Sequence, residues 1–292
     1  MSAAPATTLK VGVWLSKLRP QFFADVAREA ERLGYESLWI SEHLILPAAS
    51  EVSPGAAGEA HATISPATPT FDALGYLSYL AGLTSDIRLG TWIYLLGLRH
   101  PFVAARAVQT LDLVSNGRVE LGIGAGWLAA EWQATGLDFD SRGRRMVESL
   151  EVCRRLWRED TVAHHGTFFD FGPVGFEPKP VQQPSPPVHI GGESDTALRR
   201  AAALGDGWIG MQHSPESAGR VVDRLVEFGA GIGRRDGSFQ VTVGGSIENG
   251  SDRAAWEASG VTRLIASPWK RSHEALDGLR QLAAVLDLVP RH

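Results

Sequence analysis

Eight short apolar runs recur along the chain, each hydrophobic throughout rather than alternating, and amphipathic stretches of helical period separate them. They begin near Lys10 (KVGVWL), Ser37 (SLWIS), Ile87 (IRLGTWIYLL), Arg118 (RVELGIGAG), Val188 (VHIGG), Gly207 (GWIGM), Gln240 (VTVGG) and Val261 (VTRLIAS). A strand apolar on both sides has both faces buried, which is the condition of a parallel sheet. Helices are predicted over Phe22 to Leu33, closed by Gly34, and over Asp72 to Leu83, Phe102 to Val114, Arg142 to Trp157, Thr196 to Leu204, Pro215 to Phe228 and His273 to Leu288, with a shorter one over Ser251 to Ala258. Alternation repeated eight times predicts an α/β chain closed into a (β/α)8 TIM barrel, with a doubly wound open sheet as the alternative. Such barrels run to roughly 250 residues as one unit, so the 292 residues read as a single domain spanning 1–292.

A net charge of −5 with no clustered basic face gives no nucleic-acid footprint. The opening residues lack a basic start followed by a long apolar run, and nothing approaches the ~18 apolar residues of a membrane span. A cytoplasmic protein with no membrane partner is expected. The lone cysteine, Cys153, cannot form an internal disulfide and reads as a spacer in a helix. His164 and His165 are adjacent, so their side chains diverge in a strand, and no metal constellation is expected. Asp112, Arg118 and Asp206 read as structural polar groups.

Two segments exceed the minimal repeat. Leu44 to Thr70 is rich in Ala, Pro, Ser and Gly, and Asp160 to Pro187 holds six prolines and several aromatics. The first follows a strand and belongs at the C-terminal rim, where barrel sites form; the second precedes a strand and reads as a structural excursion.

Barrel chemistry sits at the carboxyl ends of strands. The second strand ends Ser41-Glu42-His43, and His43 is the leading catalytic candidate, because imidazole exchanges protons near neutrality. A hydrogen-bonded rim histidine without a chemical role is the equal alternative. Glu42 reads as a second acid or, more simply, a helix-dipole partner. Gly191-Gly192-Glu193-Ser194 runs into a helix, where free N–H groups and the helix dipole suit a phosphate. By itself the motif more simply describes a plain turn with Ser194 or Asp195 as N-cap, since Gly-rich βα turns are common. Arg199 and Arg200, one turn on, either neutralise a phosphate or are solvated. Gly122-Ile123-Gly124-Ala125-Gly126 lacks G-x-G-x-x-G spacing and is not a dinucleotide motif. Glycine and tryptophan together at strand ends suit a planar ring with a polar tail.

Four ordered blocks resemble the bacterial luciferase-like flavin and deazaflavin oxidoreductases: Leu38 to His43; Thr84 to Thr91 with Arg99-His100-Pro101; Ser115 to Arg118 with Leu121 to Trp127, Glu131, Gly136 and Arg142; and Glu177 to Pro180 through Pro187, His189 to Gly192 and Asp206 to Trp208. The resemblance implies a barrel with insertions and a cofactor ring in the rim cavity. It places the ring's phosphate at Gly191, Gly192, Glu193 and Ser194. It implies a non-proline cis peptide at Trp92–Ile93 that backs the ring. It sets His43 near the reactive edge, and Ala125 and Gly126 as backbone facing the cofactor.

The length, the Ser-Glu-His triplet and the Gly-Trp block resemble the branch that uses the deazaflavin coenzyme F420. The expected activity is hydride transfer between F420 and a small apolar or aromatic substrate. An FMN-dependent two-component monooxygenase is the alternative within the superfamily, and a non-catalytic flavin or deazaflavin binder is the alternative outside catalysis. Deazaflavin sugar-phosphate dehydrogenases carry Gly-Glu where this chain has Gly126-Trp127. With that acid gone, an apolar substrate is expected near Trp127, Trp92 or Trp269. A homodimer is the family habit.

Overall fold

Strands apolar on both sides need cover inside and out, and a closed ring of parallel strands supplies it with side chains within and helices around. The computed structural model describes residues 9–16, 18–48, 65–231 and 239–291. Its chain order is β1 (Lys10–Trp14), α1 (Phe23–Arg32), β2 (Ser37–Ile40), α2 (Ala73–Ala81), β3 (Arg88–Thr91), α3 (Pro101–Val114), β4 (Val119–Ile123), α4 (Ala129–Ala134), α5 (Arg142–Arg158), β5 (Thr161–His165), β6 (Asp170–Gly175), β7 (Val188–Gly191), α6 (Asp195–Leu204), β8 (Gly207–Gln212), α7 (Pro215–Gly231), β9 (Gln240–Gly244), α8 (Gly250–Ala258), β10 (Arg263–Ala266) and α9 (Ala275–Val285). Eight of the strands close a parallel barrel in the order β1-β10-β9-β8-β7-β4-β3-β2. Each sits on one of the eight apolar runs, so the fold is the expected (β/α)8 barrel.

The departures are local. Strand β3 stops at Thr91, well short of its apolar run, and the Trp92–Ile93 peptide that follows is cis. Tyr94 keeps a single bridge to Ile123. The Asp160 to Pro187 excursion contains an antiparallel hairpin, β5–β6, outside the barrel. Glu148 on α5 anchors its turn by accepting the N–H groups of Thr167, Phe168 and Phe169. Most of the Leu44 to Thr70 segment, residues 49–64, lies outside the described residues. Helix α4 has no counterpart in the sequence reading. Cys153 is buried in α5, and burial pushes its thiol up.

Successive residues of a strand face opposite ways, so every second residue enters the lumen. Ionic groups occupy its N-terminal end. Fully buried Arg263 reaches Glu36 at 2.7 Å and Glu120 at 3.3 Å, and Glu120 also meets Arg88 and His189. Above them lies Trp39, whose ring fits because two inward neighbours are glycines. A Cβ on Gly90 would come within 2.3 Å of that ring, and one on Gly12 within 2.7 Å of its Nε1. Next come Ile209, Ile265 and Trp92, with Trp14 and Ile93 packed against them. The closed lower end leaves the carboxyl rim as the place for a ligand.

Candidate active site

At that rim His43 follows β2 by three residues and is mostly buried. Its Nδ1 lies 3.0 Å from Glu131 Oε2. Glu131 comes from the first turn of α4, and its side chain is 1% exposed. Its other oxygen, Oε1, accepts the Leu44 N–H at 2.7 Å. The His43 ring meets Trp127 edge-to-face, with centroids 5.8 Å apart and planes at 88°. One carboxylate thus holds both the imidazole and the backbone that carries it, with an indole beside them.

Glu42 does neither thing expected of it. Its buried carboxylate accepts the Leu95 N–H at 3.0 Å and grips Arg99 with both oxygens, at 2.6 and 3.0 Å. Burial pushes its pKa up, and Arg99 only partly offsets this. The pair clamps β2 to the segment that follows the cis peptide. Arg99 also lies 3.5 Å from Asp72, the N-cap of α2.

Trp92 and Ile93 build the floor of the mouth. The Trp92 indole Nε1–H donates to Gly210 O at 2.9 Å, and its ring meets Trp14 edge-on at 5.2 Å. The Trp14 indole Nε1–H donates to Ser41 Oγ at 2.8 Å. Three strand-end glycines admit these side chains. A Cβ on Gly124 would fall 2.6 Å from Ile93, one on Gly191 3.2 Å from Ile93, and one on Gly244 2.2 Å from Trp92. Gly126 takes a φ of +79°, with Leu95 and Trp132 near its missing side chain. Ala125 is half-buried against the main core.

Past β7, Gly192 has a φ of +124°, and a Cβ there would come 2.7 Å from Ala197. Ser194 is the N-cap of α6, its Oγ accepting from Ala197 N at 3.3 Å. The Glu193 carboxylate turns away to Met211 N, at 2.8 Å, and to His213. Arg199 stacks on Phe228 at 4.0 Å. Arg200 faces α5, its Nη2 2.7 Å from where a Gly143 Cβ would stand. Burial and the Arg142 charge hold its pKa down, and it has no acidic partner among the described residues.

The structure therefore joins Trp92, Ile93 and Gly191 in one surface, and His43, Glu131 and Trp127 in another. Trp269 belongs to the main core rather than to the Trp14–Trp92 group. Trp14 was missed because only the ends of the later strands were read for site residues; KVGVWL carried the signal. Glu131 was legible as part of the third block but not as the partner of His43, eighty-eight residues away. Among the described residues no cluster of three His, Cys, Asp or Glu side chains is placed to hold a metal, and no helix is long and apolar enough to cross a membrane.

A closed parallel barrel, sealed below and opening on an aromatic floor at its carboxyl rim, defines a class of barrel that takes its ligand at that end. The chain belongs to the luciferase-like monooxygenase family, whose model matches residues 5–285. An uncharacterised protein of Mycobacterium tuberculosis is 32% identical over 266 residues, covering 90% of this chain and 93% of its own. An F420-dependent glucose-6-phosphate dehydrogenase of Amycolatopsis mediterranei is 30% identical over 207 residues, which is 69% of this chain and 57% of that enzyme. The structure of an F420-dependent secondary alcohol dehydrogenase with an F420–acetone adduct superimposes with a TM-score of 0.78 at 16% identity, covering 97% of this chain and 100% of that one. Matched relatives include both F420-dependent and FMNH2-dependent enzymes.

Proposed function

We propose that this chain is an F420-dependent oxidoreductase that moves hydride between the deazaflavin and a small apolar or aromatic substrate. The observation that carries the reading is the pairing of His43 with Glu131 beside Trp127, at the edge of a floor made by Trp92 and Ile93. The cofactor fits the residues present. Glycines at 124, 191 and 244 let Ile93 and Trp92 lie against the strand ends as a flat apolar floor, and Gly192, with a φ of +124°, lets the start of α6 close up behind the turn. Ser194 still has its hydroxyl proton to donate. The Glu193 carboxylate is tied elsewhere, so Glu193 offers a phosphate its backbone.

When bound, a deazaflavin supplies a ring carbon that carries hydride and lacks the ring nitrogen needed for oxygen activation. The protein's share is the proton. His43 takes it from, or returns it to, the substrate atom beside the carbon that loses or gains hydride. Trp127 presents an apolar face where sugar-phosphate enzymes of this branch carry an acid, which favours an apolar substrate. The test is a fluorescence titration of the cofactor-free protein with F420 and, separately, FMN. Tight binding of F420 with weak or no binding of FMN is expected. Preference for FMN, or binding of neither, overturns the assignment.

A further inference from the structure

We infer that Glu131 is the positioning residue of the site: it fixes the His43 imidazole as the tautomer that carries its proton on Nδ1 and leaves the Nε2 lone pair for the substrate. The inference rests on the reading that His43 handles the proton, and it concerns which nitrogen does so. An ionised carboxylate only accepts hydrogen bonds. Glu131 has two donors in reach, the Leu44 N–H on Oε1 and the His43 ring on Oε2. The backbone donor cannot turn round. The ring must therefore present N–H from Nδ1, and the second nitrogen follows by elimination. Orientation is fixed too, because the same carboxylate holds the backbone one residue beyond the histidine. Trp127 stands perpendicular against the ring and limits its rotation. A base held this way starts in the correct tautomer, as an imidazole does when a carboxylate holds its other nitrogen.

The proton balance follows. As hydride leaves the substrate carbon for the oxidised cofactor, the proton on the adjacent heteroatom passes to Nε2 and its bonding pair becomes the new π bond. The imidazolium so formed keeps its Nδ1–H on Glu131. In the reverse direction Nε2 returns the proton.

Glu131→Gln makes the prediction sharp. The variant's amide has one acceptor and one donor end. Its oxygen must stay on the Leu44 N–H, so its NH2 faces His43 and Nδ1 must become the acceptor. The ring proton then moves to Nε2, and the base is lost with almost no change in shape. The experiment is 15N NMR of the histidine ring in cofactor-free protein, with the His43 signals assigned by their loss in His43→Gln. Nδ1–H in the wild type and Nε2–H in Glu131→Gln are expected. Turnover of the variant is expected to fall about 10²–10⁴-fold, the usual worth of a positioned acid–base group, with KM and F420 affinity little changed. Glu131→Asp keeps an acceptor-only side chain and should hold the wild-type tautomer.

A neutral wild-type His43 protonated on Nε2 overturns the inference, as does Glu131→Gln with an unchanged tautomer or unchanged turnover. Should Glu131→Gln not fold, the wild-type spectrum decides alone. Failure of F420 to bind strikes the functional reading and leaves the tautomer result standing.

Discussion

Glu42 and His43 leave β2 side by side, and the structure gives them opposite work. His43 faces the mouth beside Trp127, whereas Glu42 turns inward, its side chain 1% exposed, and ties Arg99 and the Leu95 N–H. Their variants should separate cleanly. His43→Ala removes the proton-handling group, so turnover should fall by about 10²–10⁴ while cofactor affinity stays near wild type; losing the Glu131 bond and the Trp127 contact should also lower stability somewhat. Glu42→Gln leaves Arg99 half-paired in a buried setting. Breaking a buried ion pair costs about 3–5 kcal/mol, and here it also frees the segment after Ile93. Urea denaturation should show the loss, and the fluorescence titration should show weaker F420 binding. Equal stability of Glu42→Gln and the wild type would mean the clamp does not hold the floor; unchanged turnover in His43→Ala would remove that residue from the chemistry.

At the scale of the element, each barrel strand carries two messages in alternate residues. The outward set (Leu38 and Ile40 on β2, Leu121 and Ile123 on β4) joins the main core under the helices. The inward set fills the lumen in layers: Glu120 and Arg263 low, Trp39 in the middle, Trp92 above. The outward message was readable from apolar runs alone. The inward one was not, because Glu120 and Arg263 look like errors in an apolar strand until closure brings them together. For the same reason Gly12 and Gly90 are explained only by the Trp39 ring between them. The lower layer predicts a stability phenotype without a catalytic one. Arg263→Met would leave Glu36 and Glu120 without their shared cation, a loss of about 3–5 kcal/mol. The surviving folded fraction should bind cofactor as the wild type does, since the layer lies at the far end of the lumen. Denaturation midpoints and a titration on the same sample check both halves; loss of affinity at full stability would contradict the layered lumen.

For the whole molecule, architecture was legible and wiring was not. All eight barrel strands and the helix at each predicted position followed from local pattern, since burial on both faces leaves a mark on every strand. The six-residue helix α4 and the hairpin β5–β6 left no such mark: α4 is too short to show a helical period and is placed by buried Trp132 and Glu131, and the hairpin packs only a few apolar side chains, its turn tied by Glu148. The same wiring sets the response to acid. At Glu29 the Arg32 bond leads, joined by Arg280 across α1 and α9, and the carboxyl falls from 4.5 to about 2. Burial acts to raise Glu36 and Glu120, yet Arg263 holds both below the usual range. Burial likewise opposes, and backbone N–H groups outweigh it, at Glu31 and Glu148. In each case the folded state binds the proton less readily than the unfolded chain. The stability they confer is therefore complete above the ordinary value of 4.5 and is lost as pH falls through the folded values. Glu42 runs the other way, its raised pKa removing stability as pH rises above that value, but it stands against five. Melting temperature should accordingly hold near neutrality and fall steadily below about pH 4.5. In Arg263→Met the fall should be shallower, because Glu36 and Glu120 then titrate closer to their unfolded behaviour. A melting temperature flat from neutrality to strong acid, or an equally steep fall in the variant, would show that these carboxylates do not set the acid limit.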